Sequence, residues 1–150
     1  LHKENFNLTS LTEGVLNSTS ILISEKNVKV DFDTEKDIFL YADEFKIEEV
    51  VTNYISNAIN HVNDNGTIRI NVSEDDKDIC FSVYNTGKQI PEKDLYNVWE
   101  KFFKVDKAHS RSYGGLSIVK AIVEAHGGAV RVVNKTDGVE FGFKIPRVKE

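Results

Sequence analysis

The sequence predicts an α/β fold in two layers, with a mixed, mostly antiparallel sheet covered on one face by three helices. Segments of helical and strand period succeed one another as strand, helix, two strands, helix, two strands, long loop, helix, two strands. Most neighbouring strands are separated only by turn-forming residues, which favours hairpins over crossovers. The length of 150 residues suits a single domain spanning the whole chain, large enough to bury about two-thirds of its unfolded surface.

Taken in order, NFNL reads as a short edge strand, and Thr9 caps a helix from about Ser10 to Glu25. Its inward residues are Leu11, Val15, Leu16, Thr19, Leu22 and Ile23. VKVDF and IFLYA alternate as half-buried strands do, and Asp43 then caps a second helix. NDNG turns into TIRINVS, and DDKD turns into ICFSVYN, a hairpin by period and by turn chemistry. From Asn85 to about Gly115 regular pattern fades, apart from an apolar cluster at Val98 to Phe103. Irregular stretches of that length are uncommon unless functional. LSIVKAIVEAH restores helical period and is closed by Gly127 and Gly128. AVRVVN and GVEFGFKIP form a last hairpin around Thr136 to Gly138.

Composition narrows the function. With 40% hydrophobic and 29% charged residues the chain is of ordinary globular type. A net charge of −5, without a basic run, argues against nucleic acid as a partner. Apolar runs are far shorter than the ~20 residues of a membrane span, so any membrane link is expected in segments outside this chain. The single Cys80 cannot form an internal disulfide; it reads as a small packed residue and fits a reducing compartment. The opening at Leu1 and the lack of Met suggest a domain excised from a larger protein.

The second helix carries the first chemical signal. Ile47, Val50, Val51, Tyr54, Ile55, Ala58, Ile59 and Val62 form one broad apolar face at about 100° per residue. Beside it Asn53, Asn57 and Asn60 recur at spacings of four and three, next to His61. Asparagine is a mediocre helix former, because its amide competes for main-chain hydrogen bonds. The stripe fits either a solvated Asn-rich face or a polar group docked against the helix. Several other phosphate sites are excluded: there is no GxxxxGK[ST], no GxGxxG between strand and helix, and neither HRD nor DFG. The four histidines show no metal-ligand spacing.

Four elements remain, in fixed order: ExxxNxxxNAxNH on the second helix, NTGKxIP after a strand, WEKFFKVD in the long loop, and a glycine pair opening LSIVKAIVEAHGG. Together they resemble the N, G1, F and G2 boxes of the ATP-binding catalytic domain of sensor histidine kinases, over nearly the whole chain. The NTGKxIP form is similar to a Gram-positive subset that includes the vancomycin-resistance type. The resemblance implies a Bergerat-type sandwich, with ATP between the asparagine helix and a lid at about 86–115. Asn57 would then offer its amide oxygen to Mg²⁺, an ion that takes few protein ligands beside phosphates and waters. Asn53 would reach the metal's waters or phosphate oxygens, and these two asparagines are the expected catalytic residues. Asn60 and His61 stand where the family commonly shows Lys and Tyr, so this turn lacks the usual positive phosphate contact; His61 would supply it when protonated or else simply close the pocket. Asn85 would accept from the adenine amino group in place of the usual Asp, with Gly87 letting the backbone approach the base. Ile90, Leu116, the F-box pair Phe102 and Phe103, the lid cations Lys104 and Arg111, and Gly114 and Gly115 complete the expected nucleotide-contacting set.

The implied function is transfer of the γ-phosphoryl to a histidine on a separate helical dimerisation and phosphoacceptor domain of the same receptor, which serves a response regulator. The expected location is the cytoplasmic side of a membrane sensor. Related ATPases of the gyrase and Hsp90 kind carry a general-base Glu where Asn53 stands, and an amide cannot take that proton. Kinase is therefore favoured over ATPase. The G2 element, YGGLSIVK, is about four residues shorter than the family's GGTGLGLSIVK. This leaves a second reading: an impaired module that senses nucleotide or docks a partner.

Overall fold

The computed structural model describes residues 1–101 and 115–148. The elements are β1 (Lys3–Asn7), α1 (Leu8–Ser18), α2 (Ser20–Glu25), β2 (Lys29–Phe32), β3 (Phe39–Asp43), α3 (Glu44–His61), β4 (Thr67–Glu74) and β5 (Asp78–Thr86). Two short 3-10 turns come next at Glu92–Asp94 and Asn97–Trp99, then α4 (Leu116–Ala125), β6 (Ala129–Lys135) and β7 (Gly138–Pro146). Five strands form one sheet in the order β2-β4-β5-β7-β6, antiparallel throughout except where β2 lies parallel to β4.

The α/β sandwich expected from the sequence is present, with two corrections. β1 and β3 do not join the main sheet; they pair antiparallel with each other as a separate ribbon. The alternation of β3 turns Leu40 and Ala42 onto the helices, where they are buried with Phe6, while Phe39 and Tyr41 face outward. The first helix is two helices. Asn7, not Thr9, caps α1 by accepting from Ser10 N. Thr9 is buried instead, donating to Lys36 O and accepting from Ile38 N, and so holds the approach to β3. The helix breaks at Thr19 because the Ser18 and Thr19 hydroxyls donate to Val15 O and Leu16 O, taking up carbonyls at the helix end. Beyond the break the helical phase is lost, and Leu22, expected inward, is exposed.

The core lies between α3, α4 and the inner face of the sheet. Each strand of β5 and β7 alternates, so Ile79, Phe81, Val83, Phe141, Phe143 and Ile145 point at the helices. Tyr54 sits at the centre of α3's apolar face, its ring 5.8 Å from Phe141 and 6.4 Å from Phe81. Its hydroxyl donates to Gly142 O at 2.8 Å, so the one polar atom it buries is satisfied. Burial pushes the Tyr54 phenol far above its ordinary pKa, so it remains that donor throughout the folded range. Fully burying each such apolar side chain contributes about 1.5–3 kcal/mol, which orients α3 firmly and leaves its polar stripe on a fixed side. Cys80 lies half-buried on the outer sheet face, away from that stripe, and burial raises its thiol pKa. Among the described residues no helix is long and apolar enough to cross a membrane.

Candidate functional site

α3 and α4 run antiparallel, and contacts at both ends fix their alignment. At one end Asp43 N, at the N-cap of α3, donates to His126 Nε2 at 3.1 Å, and His126 Nδ1 donates to Ile122 O at 2.8 Å. The backbone N–H and C=O dictate that tautomer. The Asp43 carboxyl is held below its ordinary pKa, first by the His2 main-chain N–H and also by that of Lys46, so the cap stays ionised. At the other end Gly115, the N-cap of α4, adopts φ +83°, and a Cβ there would overlap Asn53 Oδ1. Gly115 brings no side-chain cap of its own, and the first turn of α4 starts beside the Asn53 side chain.

The asparagine stripe is not uniformly solvated. Asn57 is only 5% exposed, and its Nδ2 finds no hydrogen-bond partner among the described residues. A native structure rarely leaves such an atom unexplained. Asn53 is half-buried, with Nδ2 donating to Glu49 O at 3.0 Å, which leaves Oδ1 toward Gly115. His61, the last residue of α3, is half-buried, and Asn60 is exposed. Lys26 holds this end of the helix by donating from Nζ to Ile59 O at 2.7 Å and Val62 O at 3.2 Å, where the helix dipole favours a cation.

The end of β5 closes on the same region. Asn85 is buried and donates from Nδ2 to Thr86 O at 3.0 Å, so Oδ1 is the atom left for another group. Gly87 has φ +139°, and a Cβ there would stand 2.7 Å from His61 O. Only glycine suits both constraints. Thr86 Oγ1 donates to Asn63 Oδ1 and accepts from Thr67 N, which zips the turn after α3 onto the strand end. On the far side, Gly138 lets β7 approach so closely that a Cβ would overlap Asn85 O.

Thus the structure sets Gly115 before α4 against Asn53 and Gly87 after β5 against the main chain of His61, with Asn57 between those two residues on α3 and buried Asn85 near the end of β5. Leu116 and Ile90 are buried in the adjoining core. Phe102, Phe103, Lys104, Arg111 and Gly114 lie outside the described residues. Among the described residues of the stretch expected to be irregular, β5 continues through Thr86 and two 3-10 turns follow. Sequence reasoning missed Asn63, Thr86, His126, Asn134 and Lys26, whose partners are distant in sequence and depend on strand register or helix alignment. For Lys26 a basic residue before a turn was visible, but nothing pointed it at the end of α3.

Chemically, the site offers two carboxamides on one helix side, a buried amide at a strand end, and main-chain amides at a helix start. Among the described residues no group of three or more His, Cys, Asp or Glu could hold a metal. A metal here would rest on a neutral amide oxygen, with its remaining oxygens from water or a bound anion. Magnesium accepts that set and zinc does not. The partnerless Asn57 amide, which can be turned to present Oδ1, fits it.

Residues 42–149 match the family described as histidine kinase-, DNA gyrase B- and HSP90-like ATPase. The sensor histidine kinase WalK of Bacillus subtilis is 38% identical over 123 residues, covering 77% of this chain and 20% of WalK. The catalytic domain of histidine kinase ThkA superposes with a TM-score of 0.89 at 31% identity, covering 98% of this chain and 97% of that one. ThkA solved in complex with the response regulator TrrA gives a TM-score of 0.85 at 32% identity, covering 97% of this chain and 42% of that one. The chain spans 14–27% of the length of the first curated relatives it matches.

Proposed function

The chain belongs to the histidine kinase-, DNA gyrase B- and HSP90-like ATPase family, as a histidine kinase catalytic domain, and on that premise we propose how its residues act on Mg·ATP. The single observation that carries the reading is the buried Asn57 Nδ2, which has no partner among the described residues, on a helix that Gly87 and Gly115 approach from two directions. Asn57 holds the metal through Oδ1, and Asn53 orients the phosphates or the waters around them. Magnesium, when bound, offsets phosphate charge and fixes one triphosphate geometry. Asn85 Oδ1 accepts from the adenine amino group, with its Nδ2 already committed to Thr86 O. The first-turn amides of α4 after Gly115 meet phosphate oxygens, as helix N-termini do.

Asn53 decides what the site does with ATP. An amide cannot take a proton from water, so no side chain at that place activates water against the γ-phosphate. The γ-phosphoryl is kept for an imidazole nitrogen of a histidine on a helical phosphoacceptor domain. There the bond from phosphorus to the bridging oxygen breaks, a nitrogen–phosphorus bond forms, and ADP leaves. The partners of this chain are that domain, within the same receptor, and a response regulator, the latter supported by the ThkA relative. Any membrane anchor lies in segments beyond this chain, with this domain on the cytoplasmic side.

Titration with Mg·ATP, then addition of labelled ATP and the phosphoacceptor domain, tests the reading. Binding with label on histidine is the expected result. Binding without transfer would leave a nucleotide-sensing module, and steady phosphate release by the chain alone would make it an ATPase.

A further inference from the structure

Between Gly87 and Pro91 the chain leaves β5 and passes the buried amide of Asn85. This loop is tied to the β6–β7 hairpin. Gly87 N donates to Asp137 O at 2.9 Å, and Gln89 Nε2 donates to Lys135 O at 2.5 Å. The firmest tie is Asn134. Its Oδ1 accepts from Ile90 N at 3.0 Å, and its Nδ2 donates to Ile90 O at 2.7 Å. A carboxamide carries one acceptor and one donor at the spacing of a peptide group, so Asn134 pairs with Ile90 as a neighbouring strand would. Serine lacks the reach for both bonds, and aspartate lacks the donor.

Ile90 is buried, but Lys88, Gln89, Pro91 and Glu92 are exposed. Together with Ile90 and Asn134 they border an open recess of about 460 Å³. Asn134 is half-buried in β6, with β7 between it and Asn85 of β5. We propose that Asn134 is a positioning residue: by gripping both polar atoms of the Ile90 backbone across 44 residues of sequence, it sets the loop that forms the base-binding wall. It thereby controls affinity for the base end of the nucleotide and not for the phosphates. This inference rests on the ATP-site reading.

Both ligands are titrated against the parent chain, Asn134→Ala and Asn134→Asp: Mg·ATP, and magnesium tripolyphosphate, which lacks base and sugar. Asn134→Ala is expected to weaken Mg·ATP about tenfold, the size of one or two lost hydrogen bonds, and to leave tripolyphosphate unchanged. Asn134→Asp matches the parent in shape, keeps the Ile90 N–H bond and sets a carboxylate oxygen against Ile90 O. It is expected to weaken Mg·ATP at least as much, and it keeps the test decisive if the alanine variant folds poorly. Equal weakening of both ligands, or parent-like ATP affinity in the aspartate variant, overturns the proposal, since a purely structural residue would not separate base from phosphate. A parent chain that binds tripolyphosphate but not ATP better than GTP refutes the base wall itself. A parent that binds neither ligand refutes the ATP-site reading and this inference with it.

Discussion

Gly115 and Asn53 lie so close that a Cβ on Gly115 would overlap the Asn53 amide oxygen, at a residue whose φ of +83° itself favours glycine. This contact seats the start of α4 against the asparagine stripe, so substitution should act on nucleotide binding before it acts on the fold. Gly115→Ala is expected to cost about 1–2 kcal/mol of stability from the left-handed backbone. It should also displace Asn53 and reduce Mg·ATP affinity by more than tenfold. Calorimetric titration beside a thermal melt checks this, and unchanged affinity with lowered stability would detach Asn53 from the site.

Asn57→Ala should abolish the magnesium-dependent part of ATP binding at almost no cost to the folded chain. The deleted Nδ2 has no partner among the described residues, so its removal orphans nothing. For the parent, ligand at a hundred times its dissociation constant should add about 2.7 kcal/mol to unfolding, seen as a raised melting temperature. A variant melting with the same rise would show that Asn57 does not hold the metal.

Asn85→Asp should do two opposite things. A carboxylate is a stronger acceptor for an amino group than an amide, so preference for ATP over GTP should grow severalfold. The same change removes the bond from Nδ2 to Thr86 O in a buried place, so the nucleotide-free chain should melt lower. Competition binding with ATP and GTP measures the first effect. If discrimination does not move, Asn85 does not face the base.

His126→Ala should destabilise by about 1–3 kcal/mol, because it leaves the Asp43 main-chain N–H buried without its acceptor. The loss should exceed that of a substitution at exposed Glu124 on the same helix, compared by denaturant unfolding. Equal effects would mean that the link between α3 and α4 carries no weight.

Acid sensitivity should include the β4–β5 turn. The main-chain N–H of Asp78, then that of Lys77, hold the Asp75 carboxyl below its ordinary pKa. A lowered folded value means that its stabilisation is fully present above the ordinary carboxylate value and is lost as pH falls through the folded one. Asp75→Asn keeps an acceptor but cannot titrate. Its melting temperature should therefore fall less than the parent's over that window, and parallel curves would remove Asp75 from the acid response.

What the sequence determined by itself was local and periodic. The spacing of Ile47, Val50, Val51, Tyr54 and Ile55 specified a helix and its buried side. Alternation specified β5 and β7, and the ordered motifs around Asn53, Asn57, Asn85, Gly87 and Gly115 carried the resemblance to histidine kinase catalytic domains. Those signals are legible because side-chain direction obeys a fixed period within each element. The break at Thr19, the separate β1–β3 ribbon, the burial of the Asn57 amide, and the grip of Asn134 on Ile90 were decided only in three dimensions. Each depends on which atoms meet across long sequence separations, and a hydrogen bond between residues 44 apart leaves no period to read.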